Sequence, residues 1–293
     1  MLNIPKFPIN NSLWVEGKFL WGKKLAKEIR NLLKEKVATL QQKPGLAVLL
    51  VGDDTASEVY VKSKEKAALE CGFHSIVRRL PENASEKDVL NRIYAWNDDP
   101  NIHGILVQLP LPKHLPEQKI LQSILPEKDV DGFHFVNMGK LFAGEEGIIP
   151  CTPLGIAVML SLLPEDWTGK KAVVLGRSNI VGKPMAQILI SAFNMTVTTC
   201  HSKTIHLEEE ISRSDLVVSA MGKREVVLPE MLKDNSTIID VGIHRVEGKL
   251  CGDLDYKAME DKVHYITPVP GGVGPMTIAM LLYNTFVNAG GKL

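Results

Sequence analysis

A tyrosine and a lysine one turn apart in a predicted helix are the first residues that could do chemistry. The segment 53–73 reads DDTASEVYVKSKEKAALECGF. At about 100° per residue, Tyr60 and Lys64 fall on one stripe of small and weakly polar side chains, whereas Lys62 and Lys66 fall on the opposite, solvent-facing side. The predicted stripe consists of Ala56, Ser57, Tyr60, Lys64, Ala67, Ala68 and Cys71.

A lysine on such a stripe could act in catalysis. A buried cation is costly unless it is paired or neutral, and desolvation lowers the pKa of a lysine, as a general acid–base requires. Tyr60 lies within reach of the same ligand. The alternative is that Lys64 extends along the edge of the core with its charge in water. Thr55 with Glu58 predicts a capping box at the start of this helix, and Gly72 predicts its end.

Three further segments contain candidate ligand contacts. Gln108 is a lone amide in the apolar segment 104–112, GILVQLPLP, and it either faces a ligand or is a satisfied core amide. Asp129 and Asp131 in PEKDVDGFH either bind a donor-rich ring or cap a turn. The segment 267–277, TPVPGGVGPMT, either allows close approach of the backbone to a ligand or is a rigid connector.

A strand–turn–helix–strand unit in the second half of the chain predicts a nucleotide site. The strand AVVLG ends at Gly176, and a loop containing Gly182 leads into a helix that begins near Pro184. In this arrangement the N-terminus of a helix, together with main chain that approaches the ligand closely, binds a pyrophosphate. The loop reads G-R-S-x-x-x-G rather than G-x-G-x-x-G, so the glycine pattern alone also allows a βαβ unit without a nucleotide.

The end of the second strand of this unit favours NADP over NAD. An NAD site usually places a carboxylate about 20 residues past the glycine loop, where it binds the ribose 2′-hydroxyl. Here the strand is followed by His201, Ser202 and Lys203, and Arg177 lies in the loop itself. Cationic and hydroxyl groups favour a 2′-phosphate. The alternative is that Arg177 and Lys203 are solvated surface charges.

The elements that must position these residues alternate between strands and helices. Near-continuous apolar runs of four to eight residues predict strands buried on both faces of parallel sheets, and the alternation predicts an α/β fold. The predicted strands are 45–52, 104–109, 172–176, 196–200, 216–220, 237–241 and 263–267. The predicted helices are 22–39, 57–71, 154–163, 183–192 and 276–288. A break over 145–152 predicts two domains with a boundary near Pro150.

Composition limits the classes of partner. The 293 residues include 34 basic and 34 acidic side chains and 6% aromatic residues, which argues against a nucleic-acid-binding protein. No apolar run reaches the length of a membrane helix, and the first residues lack the order of a signal peptide. Four dispersed cysteines without a CxxC pair predict free thiols, no metal site and a cytoplasmic location.

Six sequence blocks together resemble one enzyme family. The chain is similar to the bifunctional methylenetetrahydrofolate dehydrogenase/methenyltetrahydrofolate cyclohydrolase family. The blocks occur in the family's order and, beyond about the first ten residues, extend over nearly the whole chain. They are YVKSKEKA, GILVQLPLP, PEKDVDGFH, PCTPLGI, GRSNIVGKP and TPVPGGVGPMTIAMLLYNT.

The resemblance implies a domain organisation and a set of partners. Residues 1–150 are expected to form an α/β catalytic domain that binds folate and is completed by a C-terminal helix over 275–293. Residues 151–274 are expected to form a Rossmann-type NADP-binding domain. The resemblance also implies tetrahydrofolate substrates in the interdomain cleft and a homodimer formed through the nucleotide domains.

The resemblance also assigns roles to residues. Lys64 is implied as the catalytic lysine, Gln108 as its hydrogen-bond partner, Tyr60 as the ring that packs on the aminobenzoyl group, and Asp131 as the residue that holds the pterin. The implied catalytic set is Lys64, Tyr60, Gln108 and Asp131. The implied substrate-binding set is Ser57, Tyr60, Gln108, Leu109, Asp131, Pro270, Gly271 and Gly272. The implied cofactor-binding set is Gly176, Arg177, Ser178, Ser202 and Ile243.

The implied activity consists of two consecutive reactions of one-carbon metabolism. NADP-dependent oxidation of 5,10-methylenetetrahydrofolate would give the methenyl form, and hydrolysis would then give 10-formyltetrahydrofolate, for use in purine, histidine and methionine biosynthesis. Two other readings remain: a different two-domain NADP dehydrogenase acting on a small hydroxy or amino acid, and a non-enzymatic dinucleotide sensor. Neither needs Tyr60 and Lys64 together with Gln108 and Asp131.

Overall fold

The computed structural model of the protein describes residues 2–293. This part of the chain forms ten α-helices and twelve β-strands. The helices are α1 (Gly22–Ala38), α2 (Thr55–Glu70), α3 (Glu86–Asn97), α4 (Glu117–Leu121), α5 (Phe135–Ala143), α6 (Cys151–Leu162), α7 (Gly182–Phe193), α8 (Leu207–Ser212), α9 (Tyr256–Met259) and α10 (Val273–Asn288). The strands are β1 (Val15–Glu16), β2 (Phe19–Leu20), β3 (Gly45–Val51), β4 (His74–Leu80), β5 (Gly104–Val107), β6 (Lys171–Leu175), β7 (Thr196–Cys200), β8 (Leu216–Ser219), β9 (Ser236–Asp240), β10 (His244–Val246), β11 (Lys249–Cys251) and β12 (Val263–Ile266).

The chain folds into two compact units. The three-stranded unit comprises Ile29–Lys140, Gly147–Cys151 and Ile278–Leu293. The seven-stranded unit comprises the described residues up to Glu28 together with Leu141–Glu146 and Thr152–Thr277. The described residues before residue 29 pack with residues 152–277, where β2 pairs with β12.

The three-stranded unit is built on a parallel sheet in the order β4-β3-β5. Every residue of β3 and β5 is buried, as expected for strands covered on both faces. Ile93 and Trp96 of α3 lie in one buried cluster with Ile105 of β5. This sheet brings the end of β5 next to α2, where the candidate catalytic side chains are located.

The seven-stranded unit has a sheet in the order β1-β2-β12-β9-β8-β6-β7. The five strands from β12 to β7 are mutually parallel, so their carboxyl ends share one edge. In open parallel sheets ligands bind outside this edge. β10 and β11 form a separate antiparallel hairpin that follows β9. This arrangement confirms the predicted α/β class.

All seven predicted strands and all five predicted helices are present, with ends shifted by at most three residues. The predicted start of α2 was wrong. Asp54 is the N-cap and accepts a hydrogen bond from the Ser57 amide at 2.7 Å, so Thr55 is already helical. Glu58 instead forms an ion pair with Arg79 at 3.1 Å. An ionised carboxylate is a strong N-cap. Because Asp54 takes the N-cap position, the helix begins one residue earlier than it would with Thr55 as the cap.

Candidate active site

The ammonium group of Lys64 is the centre of the candidate site in the three-stranded unit. Lys64 is only 9% exposed, and its Nζ donates a hydrogen bond to Oε1 of Gln108 at 2.9 Å. Lys62 and Lys66 on the same helix are exposed. Lys64 therefore lies on the buried side of α2, as the helical pattern predicts, and its polar partner is the amide that the resemblance implied.

Gln108 is positioned by the end of β5. Its backbone amide donates to the Leu49 carbonyl at 2.8 Å, which continues the β3–β5 ladder by one residue. Its side-chain Nε2 donates to the Leu109 carbonyl at 2.6 Å. With the amide nitrogen engaged in this way, the amide oxygen faces Lys64.

Ser57 and Tyr60 lie on the same helix as Lys64. Ser57 is buried, and its amide is held by the Asp54 cap. Tyr60 is half-buried, and burial raises the pKa of its hydroxyl, so the ring is neutral at physiological pH. Ala56, which the helical pattern placed on the same stripe, is exposed because it lies in the first turn. The buried face is thus narrower than predicted at its N-terminal end.

The two aspartates of the PEKDVDGFH segment have different roles in the structure. Asp129 is 2% exposed and accepts hydrogen bonds from the His134 amide at 2.8 Å and from Asn137 Nδ2 at 3.0 Å, which ties down the turn before α5. Asp131 is only partly buried. Burial raises the pKa of the Asp131 carboxyl, and the positive charge of Lys64 opposes that rise. Asp129 is therefore a structural residue, and Asp131 lies in the electrostatic field of Lys64.

Cys151 and Asn284 belong to this site and were not identified from the sequence. The Cys151 thiol donates to the Val130 carbonyl at 3.1 Å and lies close to the Asp131 carboxyl, and burial raises the pKa of the thiol well above the ordinary value. Asn284 on α10 donates to the carbonyls of Val130 at 2.9 Å and Ile149 at 3.1 Å. Asn284 thus joins the segments that carry Asp131 and Cys151. The block PCTPLGI contains Cys151, but nothing in the sequence pairs it with Asp131.

In the loop after β6 of the seven-stranded unit, main-chain segments pack closely against one another, as a phosphate-binding loop requires. A Cβ on Gly176 would lie 2.4 Å from the carbonyl oxygen of Ala220, and a Cβ on Gly182 would lie 2.1 Å from the carbonyl oxygen of Gly176. Gly182 begins α7, a helix of 12 residues. Main-chain atoms and a helix N-terminus therefore lie together at the carboxyl edge of the sheet, and this arrangement fits a dinucleotide pyrophosphate.

The residues that are candidates for binding the 2′-phosphate follow two neighbouring strands. Leu175 of β6 pairs with Cys200 of β7, so Arg177 and Ser202 both come directly after the same edge. Arg177, Ser202 and Lys203 are exposed. The structure therefore brings the predicted phosphate contacts to one side of the glycine loop. Ser178 Oγ accepts from the Val181 amide at 3.1 Å and so shapes the loop.

The remaining candidates in this unit follow β9 and β12. Ile243 is 45% exposed and lies between β9 and β10. Pro270, Gly271 and Gly272 follow β12, and the Gly271 carbonyl accepts from the Lys23 amide at 2.8 Å. All the predicted cofactor contacts thus lie in loops at the carboxyl edge of the parallel strands. Within residues 2–293, no group of three or more His, Cys, Asp and Glu side chains could hold a metal ion.

Comparison with known proteins identifies the family of both halves of the chain. Residues 20–131 match the tetrahydrofolate dehydrogenase/cyclohydrolase catalytic domain, and residues 150–292 match the NAD(P)-binding domain of the same family. The bifunctional protein FolD of Polaromonas naphthalenivorans is 52% identical over 268 residues, which cover 90% of this chain and 95% of that protein.

Solved structures agree with the sequence comparison. The bifunctional FolD dehydrogenase/cyclohydrolase of Campylobacter jejuni is 49% identical and superposes with a TM-score of 0.90, over 92% of this chain and 97% of that one. The Trypanosoma brucei dehydrogenase-cyclohydrolase, solved with an NADP cofactor and an inhibitor, is 36% identical with a TM-score of 0.90, over 94% and 98% of the two chains. The protein is therefore a member of the tetrahydrofolate dehydrogenase/cyclohydrolase family.

Proposed function

We propose that this protein catalyses NADP-dependent oxidation of 5,10-methylenetetrahydrofolate and then hydrolysis of the methenyl product to 10-formyltetrahydrofolate. One observation carries the proposal: in a chain of this family, a buried lysine is hydrogen-bonded to a neutral amide at the end of a parallel strand. The enzyme is both a dehydrogenase and a cyclohydrolase.

The dehydrogenase step depends on alignment of the folate with the cofactor. When bound, NADP⁺ would supply the acceptor for the hydride that leaves the methylene bridge of the folate. The chain contributes the loops that hold the two reactants, and correct positioning can supply about 7–11 kcal/mol of a reaction barrier. We assign cofactor contacts to Gly176, Arg177, Ser178, Ser202 and Ile243. The exposed Arg177 guanidinium and Ser202 hydroxyl suit the 2′-phosphate.

The cyclohydrolase step needs proton transfers near the methenyl carbon. Water adds to that carbon and loses a proton, and opening of the imidazolinium ring returns a proton to the departing nitrogen. We assign these proton transfers to Lys64. Its Nζ lies on the buried side of α2 and donates a hydrogen bond to Gln108 at 2.9 Å. Gln108 positions the ammonium without neutralising it.

Substrate binding is assigned to the side chains around this pair. Tyr60 is half-buried and presents a ring one turn from Lys64, which suits packing on the aminobenzoyl group. Asp131 carries a carboxyl group that can bond the nitrogen donors of the pterin. The proposed substrate contacts in the three-stranded unit are Ser57, Tyr60, Gln108, Leu109 and Asp131. Pro270, Gly271 and Gly272 are proposed substrate contacts contributed by the seven-stranded unit.

Functional domains, assembly and location form a further part of the proposal. We assign folate binding to residues 1–150 with 275–293, and NADP binding to residues 151–274. We infer a homodimer through the nucleotide domain, supported by the apolar Ile190 of that domain, which is 48% exposed. Four free cysteines fit a reducing compartment, and we infer a cytoplasmic enzyme. In the described part of the chain, no helix has both the length and the apolar character to cross a bilayer.

A two-stage assay tests the proposed function. The purified protein is mixed with 5,10-methylenetetrahydrofolate and NADP⁺, and formation of NADPH is followed by absorbance. The methenyl compound is then supplied alone, and its decay is compared with that in buffer. Both rates are expected to exceed the uncatalysed rates. Absence of NADPH formation would contradict the proposal, and NADPH formation with only uncatalysed decay would leave a monofunctional dehydrogenase.

A further inference from the structure

A buried carboxylate organises the cofactor edge of the seven-stranded unit. The side chain of Asp253 has no exposed surface, and it accepts three hydrogen bonds from different parts of the chain. The donors are Ser219 Oγ at 3.1 Å, the Gly222 amide at 3.3 Å and Nε2 of His244 at 2.7 Å. A carboxylate removed from water needs such donors to replace the hydrogen bonds it loses to the solvent.

These donors belong to the two segments that border the proposed cofactor site. Ser219 ends β8, and Gly222 lies in the turn that follows it. Between them, Ala220 presents the carbonyl oxygen that leaves no space for a side chain on Gly176. His244 directly follows Ile243, the proposed cofactor contact after β9. One side chain, Asp253, therefore joins the turn behind the glycine loop to the segment that carries Ile243.

A second buried carboxylate fixes the backbone around the first. Asp240, which ends β9, accepts from the amides of Gly242 at 2.9 Å, Asp253 at 3.1 Å and Leu254 at 3.0 Å. A Cβ on Gly242 would lie 2.1 Å from Oδ1 of Asp253, so residue 242 must be glycine for the carboxylate to occupy this position. The Asp253 side chain therefore has little freedom to follow a partner that moves.

We propose that His244 is a positioning residue for NADP, acting through Asp253. The imidazole donates to a carboxylate that cannot move, and this bond fixes the backbone of Ile243 relative to the turn 219–222. His244 is partly exposed, with 22% of its side-chain surface accessible. It lies in β10, so its replacement is expected to leave β8 and β9 intact. The inference rests on the proposed function only for the identity of the cofactor.

The two activities provide an internal control for this role. Hydrolysis of the methenyl compound needs no NADP and is assigned to residues of the three-stranded unit. A variant that only misplaces the cofactor loops therefore loses dehydrogenase activity and keeps hydrolysis. Loss of one charge-assisted hydrogen bond corresponds to about a tenfold weaker binding of NADP⁺.

The experiment compares His244→Phe, which removes the donor, with His244→Gln, which supplies a neutral donor. Arg245→Gln is the matched control, because Arg245 is the next residue of the same strand and is exposed. NADP⁺ affinity is measured directly by calorimetric titration. The KM for NADP⁺ and the rate of methenyl hydrolysis without NADP are measured on the same samples.

We expect His244→Phe to raise the Kd and KM for NADP⁺ about tenfold, with hydrolysis within twofold of the parent. His244→Gln should recover part of the affinity, and Arg245→Gln should match the parent. An unchanged Kd in His244→Phe would overturn the inference. So would an equal loss of both activities in His244→Phe and His244→Gln, since that result indicates a general structural role. Absence of both activities in the parent would instead overturn the proposed function.

Discussion

The amide of Gln108 can meet Lys64 in only one orientation. Its Nε2 is engaged with the Leu109 carbonyl at 2.6 Å, so the group that faces the Lys64 ammonium at 2.9 Å is the amide oxygen. A neutral oxygen acceptor holds an ammonium in place but compensates its charge less than a carboxylate does. The Lys64 ammonium is therefore held in place by a neutral acceptor, which suits the proton-transfer role proposed for it.

Replacement of Lys64 by methionine should separate the two activities. We expect Lys64→Met to lower the rate of methenyl hydrolysis by about 10²–10⁴-fold, the usual contribution of a positioned proton-transfer group. Part of the dehydrogenase activity should remain, because hydride transfer depends on alignment of the rings. Lys62→Met on the exposed side of α2 is the control. Equal retention of both activities in Lys64→Met would remove Lys64 from the mechanism.

A carboxylate at position 108 should hold the proton on Lys64 more tightly. In Gln108→Glu the new negative charge would face the Lys64 ammonium at the distance now spanned by a neutral hydrogen bond. We expect hydrolysis at pH 7 to fall by about 10²-fold and its rate to recover partly at higher pH. Gln42→Glu on the surface is the control. A pH–rate profile identical to that of the parent would show that Gln108 does not influence the proton.

The sequence predicts those parts of the fold that have simple periodicity. The apolar strands and the Lys64 face of α2 are present as predicted, because burial on both faces of a sheet and the helical repeat leave direct patterns. β4 was missed, since Arg78 and Arg79 interrupt its apolar run and four of its seven residues are only partly buried. An edge strand with one polar side does not produce the signal of a central strand.

The parts of the site that sequence reasoning missed depend on contacts between distant segments. Asn284 and Val130 are 154 residues apart, and Ser219 and Asp253 are 34 apart. Spacing along the chain carries no information on such pairs. Asp129 and Asp131 show the same limit at short range. Both were candidates for a ligand contact, and only tertiary structure assigns Asp129 to the turn before α5.

Removal of the Asn284 amide should destabilise the three-stranded unit. Asn284 satisfies the buried carbonyl of Ile149 at 3.1 Å and shares the carbonyl of Val130 with the Cys151 thiol. We expect Asn284→Ala to lower the free energy of unfolding by about 2 kcal/mol, as expected for a buried polar group that loses its partner. Urea unfolding measures the change. Asn91→Ala at an exposed position should stay within about 0.5 kcal/mol, and a similar value for both variants would contradict the expectation.

The four free thiols should differ in reactivity. Burial raises the pKa of Cys71 to about 11 and also raises the pKa values of Cys151 and Cys200, so these three are protonated and shielded. Cys251 is the most accessible cysteine. A thiol reagent at pH 8 should therefore modify one site rapidly, because the thiolate is the reactive form. Mass spectrometry should locate the label at Cys251, and Cys251→Ser should abolish the fast phase. Rapid labelling at Cys151 would contradict the assignment.

Titration of Asp240 should make the folded protein less stable as the pH rises. Burial raises the pKa of this carboxyl to about 6, above the value of about 3.9 in an unfolded chain. At a pH between these two pKa values, the Asp240 carboxyl is protonated in the folded state and ionised in the unfolded chain. The stabilisation is complete below about pH 4 and is lost as the pH rises through about 6, with a total near 3 kcal/mol.

A variant comparison isolates this contribution from those of other carboxyl groups. Asp240→Asn does not titrate and should be less stable overall, because an amide nitrogen cannot accept a hydrogen bond from the backbone donors around it. The difference in unfolding free energy between parent and variant should therefore shrink from pH 5 to pH 7.5.

Burial also raises the pKa values of Asp129 and Asp131, but both proteins contain these groups and their effects cancel. Asp234→Asn, at an exposed position, should give a difference that is nearly constant with pH. A constant difference for Asp240→Asn as well would show that Asp240 is already ionised in the folded protein at pH 5.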